Sequence, residues 1–183
     1  MKAADDVELV RRFQRGEAAA FVEFADRHRD RVYRVARLWL SRPADAEDVV
    51  QEVFVRSLSG LSGFLFRAQP STWLLRVTRN VCHEANRKHR WHLNVDDPLL
   101  QPSLLHEEGA RSGSGPGADD DHARVRRAVR QLPARQREVV VLRVFEELSV
   151  AETARALGCR EGTVKAHLNK AVGNLRRLLA SPE

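Results

Sequence analysis

Cysteine is nearly absent from this chain: Cys82 and Cys159 stand far apart and outside any C-x-x-C pattern, which excludes a disulfide framework and a zinc ribbon. Long apolar runs are missing as well. The longest stretch without a charged residue, Ser57 to Phe66, is ten residues, roughly half of what a bilayer-spanning helix needs. The amino-terminal residues Met1-Lys2-Ala3-Ala4-Asp5-Asp6 turn acidic where a secretion signal would place its apolar stretch, so the expected location is cytoplasmic, with no membrane insertion. The reading is of a chain without enzymatic activity and without a cofactor: nothing nucleophilic or Gly-rich accompanies the acidic residues from Asp45 to Glu52, where a catalytic site would have to lie.

What is abundant is arginine. The 31 Lys and Arg residues exceed the 25 Asp and Glu for a net charge of +6, and only four of the 31 are Lys. The planar guanidinium fork suits phosphate and guanine edges, so a polyanionic partner is favoured. Apolar residues at 43% and charged residues at 31% of 183 leave room for ordinary folded cores and exclude wholesale disorder.

The charge is unevenly placed. Residues 94–122 hold seven acids and one base, with Pro98, Pro102, Pro116 and the run Ser112-Gly113-Ser114-Gly115-Pro116-Gly117, and show no usable helical period. This stretch reads as a flexible acidic linker, either simply solvated or mimicking nucleic acid inside a basic channel of a partner. It separates residues 1–93, net +5, from residues 123–183, net +7.

Both flanks read as helical, giving an all-α fold of two small domains. Phe21, Phe24, His28, Val32, Val35 and Trp39 recur at three- and four-residue steps, as do Val50, Val53, Phe54, Ser57 and Leu61. A helix is expected to begin near Pro43, with Asp45, Glu47 and Asp48 in its first turn. Gly60, Ser62 and Gly63 are expected to break the pattern, and a further helix starts around Pro70 to Thr72, burying Trp73, Val77, Val81 and Ala85. The first domain is thus a bundle of about four helices.

Near the carboxyl end, Ser149-Val150-Ala151-Glu152 has the form of a capping box. The short helix it starts runs to Leu157 and stops at Gly158, and a second begins near Glu161, which is helix-turn-helix spacing. In the second helix Val164, Leu168, Ala171, Leu175 and Leu178 form a stripe that must face a core. The other side offers Thr163, Lys165, His167, Asn169 and Lys170, with Arg160 and Glu161 at the end that enters a major groove.

In the first domain Asp45, Asp48 and Glu52 share one helix face with Gln51 alongside and Glu47 nearby, open to three readings: solvated surface, metal or catalytic site, docking surface. From Arg67 to His92 the charge reverses. Arg76, Arg79, Asn80, His83, Arg87, Lys88 and Arg90, interleaved with Trp73 and Trp91 and preceded by Phe64 and Phe66, suit a single strand held by phosphate contact and base stacking. Trp73, in register with Val77 and Val81, also fits a core position. His83, His89 and His92 on so cationic a segment would repel a metal ion.

These residues resemble a known family. Asp45-Ala46-Glu47-Asp48-Val49-Val50-Gln51-Glu52-Val53-Phe54, then Thr72-Trp73-Leu74-Leu75-Arg76-Val77 and Asn80-Val81, resemble region 2 of bacterial sigma factors of the extracytoplasmic-function (ECF) type. Leu132-Pro133-Ala134-Arg135-Gln136-Arg137-Glu138-Val139, then Leu148-Ser149, Ala154, Leu157-Gly158 and Gly162-Thr163-Val164-Lys165, resemble their region 4. The resemblance implies an alternative sigma factor that directs promoter-specific initiation. Asp45, Glu47, Asp48, Gln51 and Glu52 would dock on the β′ clamp helices of core RNA polymerase, with the β flap as a second polymerase contact. Phe64, Phe66, Arg76, Asn80, His83, Arg87, Lys88 and Arg90 would melt and read the minus-10 element. Arg160, Glu161, Thr163, Lys165, His167, Asn169 and Lys170 would read the minus-35 duplex. An anti-sigma factor is the expected regulator. Arg160 stands where the family commonly has a capping Ser, and Lys165-Ala166-His167 where many members have Lys-Ser-Arg, replacing a bidentate guanine reader by imidazole. A stand-alone helix-turn-helix regulator and a metal-dependent nucleic-acid hydrolase using Asp45, Glu47 and Asp48 are the alternatives.

Overall fold

The structure, a computed structural model, describes residues 5–96 and 118–180, and every regular element among them is helical. Helix α1 (Asp6–Gln14) starts where the Asp5 carboxylate accepts from the Glu8 amide at 2.8 Å, satisfying one of the unpaired amides of the first turn. Helix α2 (Ala18–Trp39) buries Phe24, His28, Val32, Val35 and Trp39, most of the expected stripe, with Phe21 half-buried at its edge. The buried His28 ring brings its Nε2 within 2.8 Å of Asp6, so a polar group inside the bundle keeps a partner.

Pro43 opens a 3-10 turn (Pro43–Asp45) that leads into α3 (Ala46–Ser62), and α4 (Pro70–Asp96) follows. Asn86 fixes the crossing of α2 and α4: its Nδ2 donates to the Trp39 carbonyl at 3.0 Å and its Oδ1 accepts from the Ser41 amide at 2.7 Å. Contrary to expectation, Gly60 does not break α3. It lies inside the helix because the Trp73 ring packs over it, and a Cβ there would come within 2.6 Å of Trp73 Cζ2.

The second group comprises α5 (Ala118–Gln131), α6 (Ala134–Val140), which widens into a π-helical turn (Val141–Phe145), α7 (Val150–Leu157) and α8 (Glu161–Ala180). Its core joins Val129, Leu132, the consecutive Val139 to Leu142, Leu148, Ala154, Leu157, Val164 and Ala171. Leu168, Leu175 and Leu178 complete the expected α8 stripe as partly buried neighbours. Helix is present at both ends of the 94–122 stretch, through Asp96 and again from Ala118, where no period was expected. The linker segment between them lies outside the described residues.

Candidate nucleic-acid interface

The acidic edge is built by α3 and the turn before it. Asp48 and Gln51 are exposed, Asp45 and Glu52 half-exposed, and all face away from Val49, Val50 and Val53 in the core. Cations sit at the rim: Arg42 is 3.9 Å from Asp45, Arg29 is 3.5 Å from Glu47, and Arg56 is 2.6 Å from Glu52. Arg56 also holds Glu84 of α4 through two hydrogen bonds of 2.8 and 2.7 Å, and this contact, before that with Glu52, pushes the guanidinium pKa up. Glu84, the lone acid of the basic segment, is thereby neutralised, and its carboxyl is held below the ordinary glutamate range. Asp48 has no ion-pair partner among the described residues. Beside this edge, Ala25, Asp26, Arg29, Glu47, Val50, Gln51 and Phe54 line a shallow hollow of about 220 Å³ between α2 and α3. Val55 and Leu58, unremarked in the sequence pattern, extend the edge as exposed apolar side chains. Among the described residues no group of three His, Cys, Asp or Glu side chains is placed to hold a metal ion.

The neighbouring helix α4, joined to this edge through Arg56 and Glu84, carries the cationic surface. Arg76, Asn80, His83 and Arg87 form an exposed row along α4 with Lys88 beside it, their steps of four, three and four keeping them on one face. Arg90 lies in α4, its side chain outside the described residues. Phe64 and Phe66 are half-buried rather than presented: Phe64 meets Phe66 at 5.1 Å and Trp73 at 5.6 Å between ring centroids, and the Arg11 guanidinium lies 5.4 Å over Phe66. Leu65 between them, 70% exposed, is what the loop offers to solvent. The loop is anchored by Gln14, whose Nε2 donates to the carbonyls of Leu61 and Phe64, both at 2.9 Å.

The helix-turn-helix forms as the cap and glycine require. The Glu152 amide donates to Ser149 Oγ at 3.2 Å while the Ser149 amide donates to Glu152 Oε2 at 2.8 Å, the reciprocal capping box. Ser149 side-chain and backbone hydrogen bonds hold the Glu152 carboxyl below its ordinary pKa. Gly158 takes φ +62°, and the Cys159 amide reaches back to the Ala154 carbonyl at 3.0 Å, closing α7 by a left-handed turn that a side chain would disfavour. Helix α8 then buries Val164 and Ala171 and leaves Arg160, Glu161, Thr163, Lys165, Asn169 and Lys170 exposed, with His167 half-buried.

The two groups also touch, through residues that local pattern does not single out. Glu138 of α6 is buried, 3.1 Å from Arg79 Nε of α4, 3.2 Å from Arg135, and hydrogen-bonded to His83 Nε2. Burial pushes its carboxyl pKa up, but the His83 hydrogen bond and the Arg79 charge outweigh this and leave it below the ordinary value. Arg31 of α2 pairs likewise with the nearly buried Glu146. Cys82, beneath this contact, is pushed to about 12, first by burial and then by Glu138, which leaves a protonated, unreactive thiol. The available signal was an acid directly before the apolar run Val139 to Leu142, on a side that has to be buried.

Two families match this chain: Sigma-70 region 2 over residues 24–92 and Sigma-70, region 4 over residues 122–175. The ECF RNA polymerase sigma factor SigM of Mycobacterium tuberculosis is 32% identical over 174 residues, covering 95% of this chain and 84% of that protein. The ECF RNA polymerase sigma factor BldN of Streptomyces coelicolor is 36% identical over 175 residues, covering 94% of this chain, which spans only 65% of BldN's length. In shape the chain is similar to CnrH in complex with the cytosolic domain of CnrY, with a TM-score of 0.73 and 24% identity over 97% of this chain and 99% of that one. The sigma factor RpoE of Bartonella quintana, in complex with the anti-sigma factor NepR, gives 0.73 and 24% over 89% and 98%. These two likenesses speak to the fold.

Proposed function

This chain belongs to the sigma-70 family, in its extracytoplasmic-function branch, and on that premise we propose that it binds core RNA polymerase and directs it to a set of promoters. The observation that carries the reading is that two packed helices of one bundle carry exposed surfaces of opposite charge. The acidic edge of Asp45, Glu47, Asp48, Gln51 and Glu52 lies on α3 and the turn before it, and the exposed row of Arg76, Asn80, His83, Arg87 and Lys88 lies on α4. The first surface docks on the β′ clamp helices. The second, together with the Phe64 to Phe66 loop and Arg90, captures melted minus-10 bases by phosphate contact and stacking.

Region 4 reads the minus-35 duplex through Arg160, Glu161, Thr163, Lys165, His167, Asn169 and Lys170 and rests on the β flap. Two cationic modules bind DNA mostly through phosphates, with a steep salt dependence and little selectivity of their own. Polymerase supplies selectivity by holding both in place, so that the second contact forms at high effective concentration. The work is binding rather than catalysis, carried out in the cytoplasm, and no helix among the described residues is long and apolar enough to cross a membrane. The two structural relatives, one solved with the cytosolic domain of CnrY and one with an anti-sigma factor, support an anti-sigma partner for this chain too.

The docking surface is tested by Asp48→Arg. Asp48 is exposed at the helix surface, so the variant is expected to keep its melting temperature and lose co-elution with core polymerase. Unchanged co-elution overturns the assignment.

A further inference from the structure

We infer that Trp91, near the carboxyl end of α4, is a stacking platform for an unpaired nucleotide base: its indole, 71% exposed, ends the cationic row, where phosphates held by Arg87 and Lys88 bring a single strand across it. Neither of the other two tryptophans is open to a base. Trp39 is buried, and Trp73 is half-buried between Gly60 and Phe64. Tryptophan is among the more buried residue types on average, yet among the described residues no large apolar side chain is more exposed than Trp91.

A single exposed apolar residue is commonplace, and it is the surroundings of this one that point to a ligand. Counting back along α4, Lys88 and Arg87 lie three and four positions away, and His83, Asn80 and Arg76 continue on the same side, all of them exposed. Steps of three and four residues keep side chains on one helix face. Glu84 is the one carboxylate between Arg76 and Trp91. Arg56 takes both its oxygens, at 2.8 and 2.7 Å, so it does not repel a phosphate. Cations hold the backbone of a strand and an aromatic ring holds a base, and because every base has a π-face the ring adds affinity without fixing the sequence.

The Phe64 to Phe66 loop precedes the first turn of α4, and Trp91 stands five residues before its end, so the two aromatic sites lie at opposite ends of that helix. From Arg76 to Trp91 the helix advances about 22 Å at ~1.5 Å per residue, the rise of roughly six or seven nucleotides at ~3.4 Å each. Trp91 therefore takes the base at the edge of the unpaired segment remote from the loop. Its place in initiation rests on the promoter-binding reading above. The stacking itself does not.

The test follows binding of a mixed-sequence single-stranded 12-mer to the full chain at low salt, by anisotropy and by tryptophan emission. Trp91→Ala and Trp91→Leu are each expected to weaken binding about tenfold, toward the low end of what one stacked base contributes, and Trp91→Phe to keep it within about twofold of the native value, since phenylalanine retains a stacking face. Saturating 12-mer is expected to quench emission more in the native chain than in Trp91→Phe. On the matching duplex, whose bases are already stacked on one another, Trp91→Ala is expected to change binding less than about twofold. A native chain that does not bind the 12-mer, a Trp91→Ala chain that binds as the native one does, a Trp91→Phe chain no better than Trp91→Ala, equal quenching with and without Trp91, or an equal loss on the duplex overturns the platform. Should the variants lose helical circular dichroism, the emission of the native chain decides: quenching at saturation supports the platform and unchanged emission contradicts it. A chain that shows the stacking yet supports no initiation with core polymerase refutes the sigma-factor reading and leaves the platform standing, and a chain that initiates while its 12-mer binding ignores residue 91 does the reverse.

Discussion

Gly60 and Trp73 occupy each other's space: a Cβ on Gly60 would stand 2.6 Å from Cζ2 and 2.7 Å from Cη2 of the indole. The ring is also in contact with Phe64, at 5.6 Å between centroids. Helix α3 therefore carries a glycine at a cost in intrinsic propensity of about 1 kcal/mol, so that α4 can approach it.

Gly60→Ala is accordingly expected to destabilise the chain despite the better helix former, by about 1–3 kcal/mol of overpacking less the propensity gain. Thermal unfolding checks this, and a raised melting temperature contradicts it. Because Trp73 also positions Phe64 and, through it, Phe66, the same variant is expected to weaken promoter melting more than core binding.

Much of this arrangement was legible because helical period is a local property. The α2 stripe, the α8 stripe and the capping box at Ser149 each depend on residues within a few turns of one another, and each is present in the structure. Gly60 misled for the converse reason. Glycine is a poor helix former locally, and the ring that requires it is thirteen positions further on. The helical ends of the acidic stretch were hidden by composition, since Asp119 to Asp121 suit either a tether or a helix amino terminus. The Glu138 contact was invisible because no period links α4 to α6. Phe64 and Phe66 read as presented aromatics, yet they pack on each other and on Trp73 while Leu65 faces out.

Acid should weaken the contact between the modules. The Glu138 carboxyl is held below its ordinary pKa of 4.5 in the folded chain, so its stabilising contribution is fully present above that value and is lost as pH falls through the lowered one. The stability advantage of the native chain over Glu138→Gln, on the order of 1–3 kcal/mol at pH 7 for a buried charged hydrogen bond, is expected to shrink from about pH 4.5 downward. Thermal melts of both chains from pH 7 to pH 3 check this, and an advantage that stays constant or grows toward pH 3 contradicts it.

Lys165 is exposed on α8 next to the buried Val164, so its removal leaves the core intact. Lys165→Ala is expected to weaken minus-35 recognition while leaving core binding unchanged, with a loss of about 1–3 kcal/mol if the ammonium reads a base edge. A loss equal for all minus-35 sequences would assign it to phosphate. A series of minus-35 variants transcribed to the same level by the native chain and by Lys165→Ala would remove this side chain from the interface.

The most direct measurement is runoff transcription by purified core polymerase on the DNA upstream of the chain's own gene, with and without the protein. A discrete transcript that requires the native chain and disappears with Asp48→Arg is the expected result. No transcript from that DNA or from any other start site, with core polymerase shown to be active, contradicts the assignment of this chain as an initiation factor.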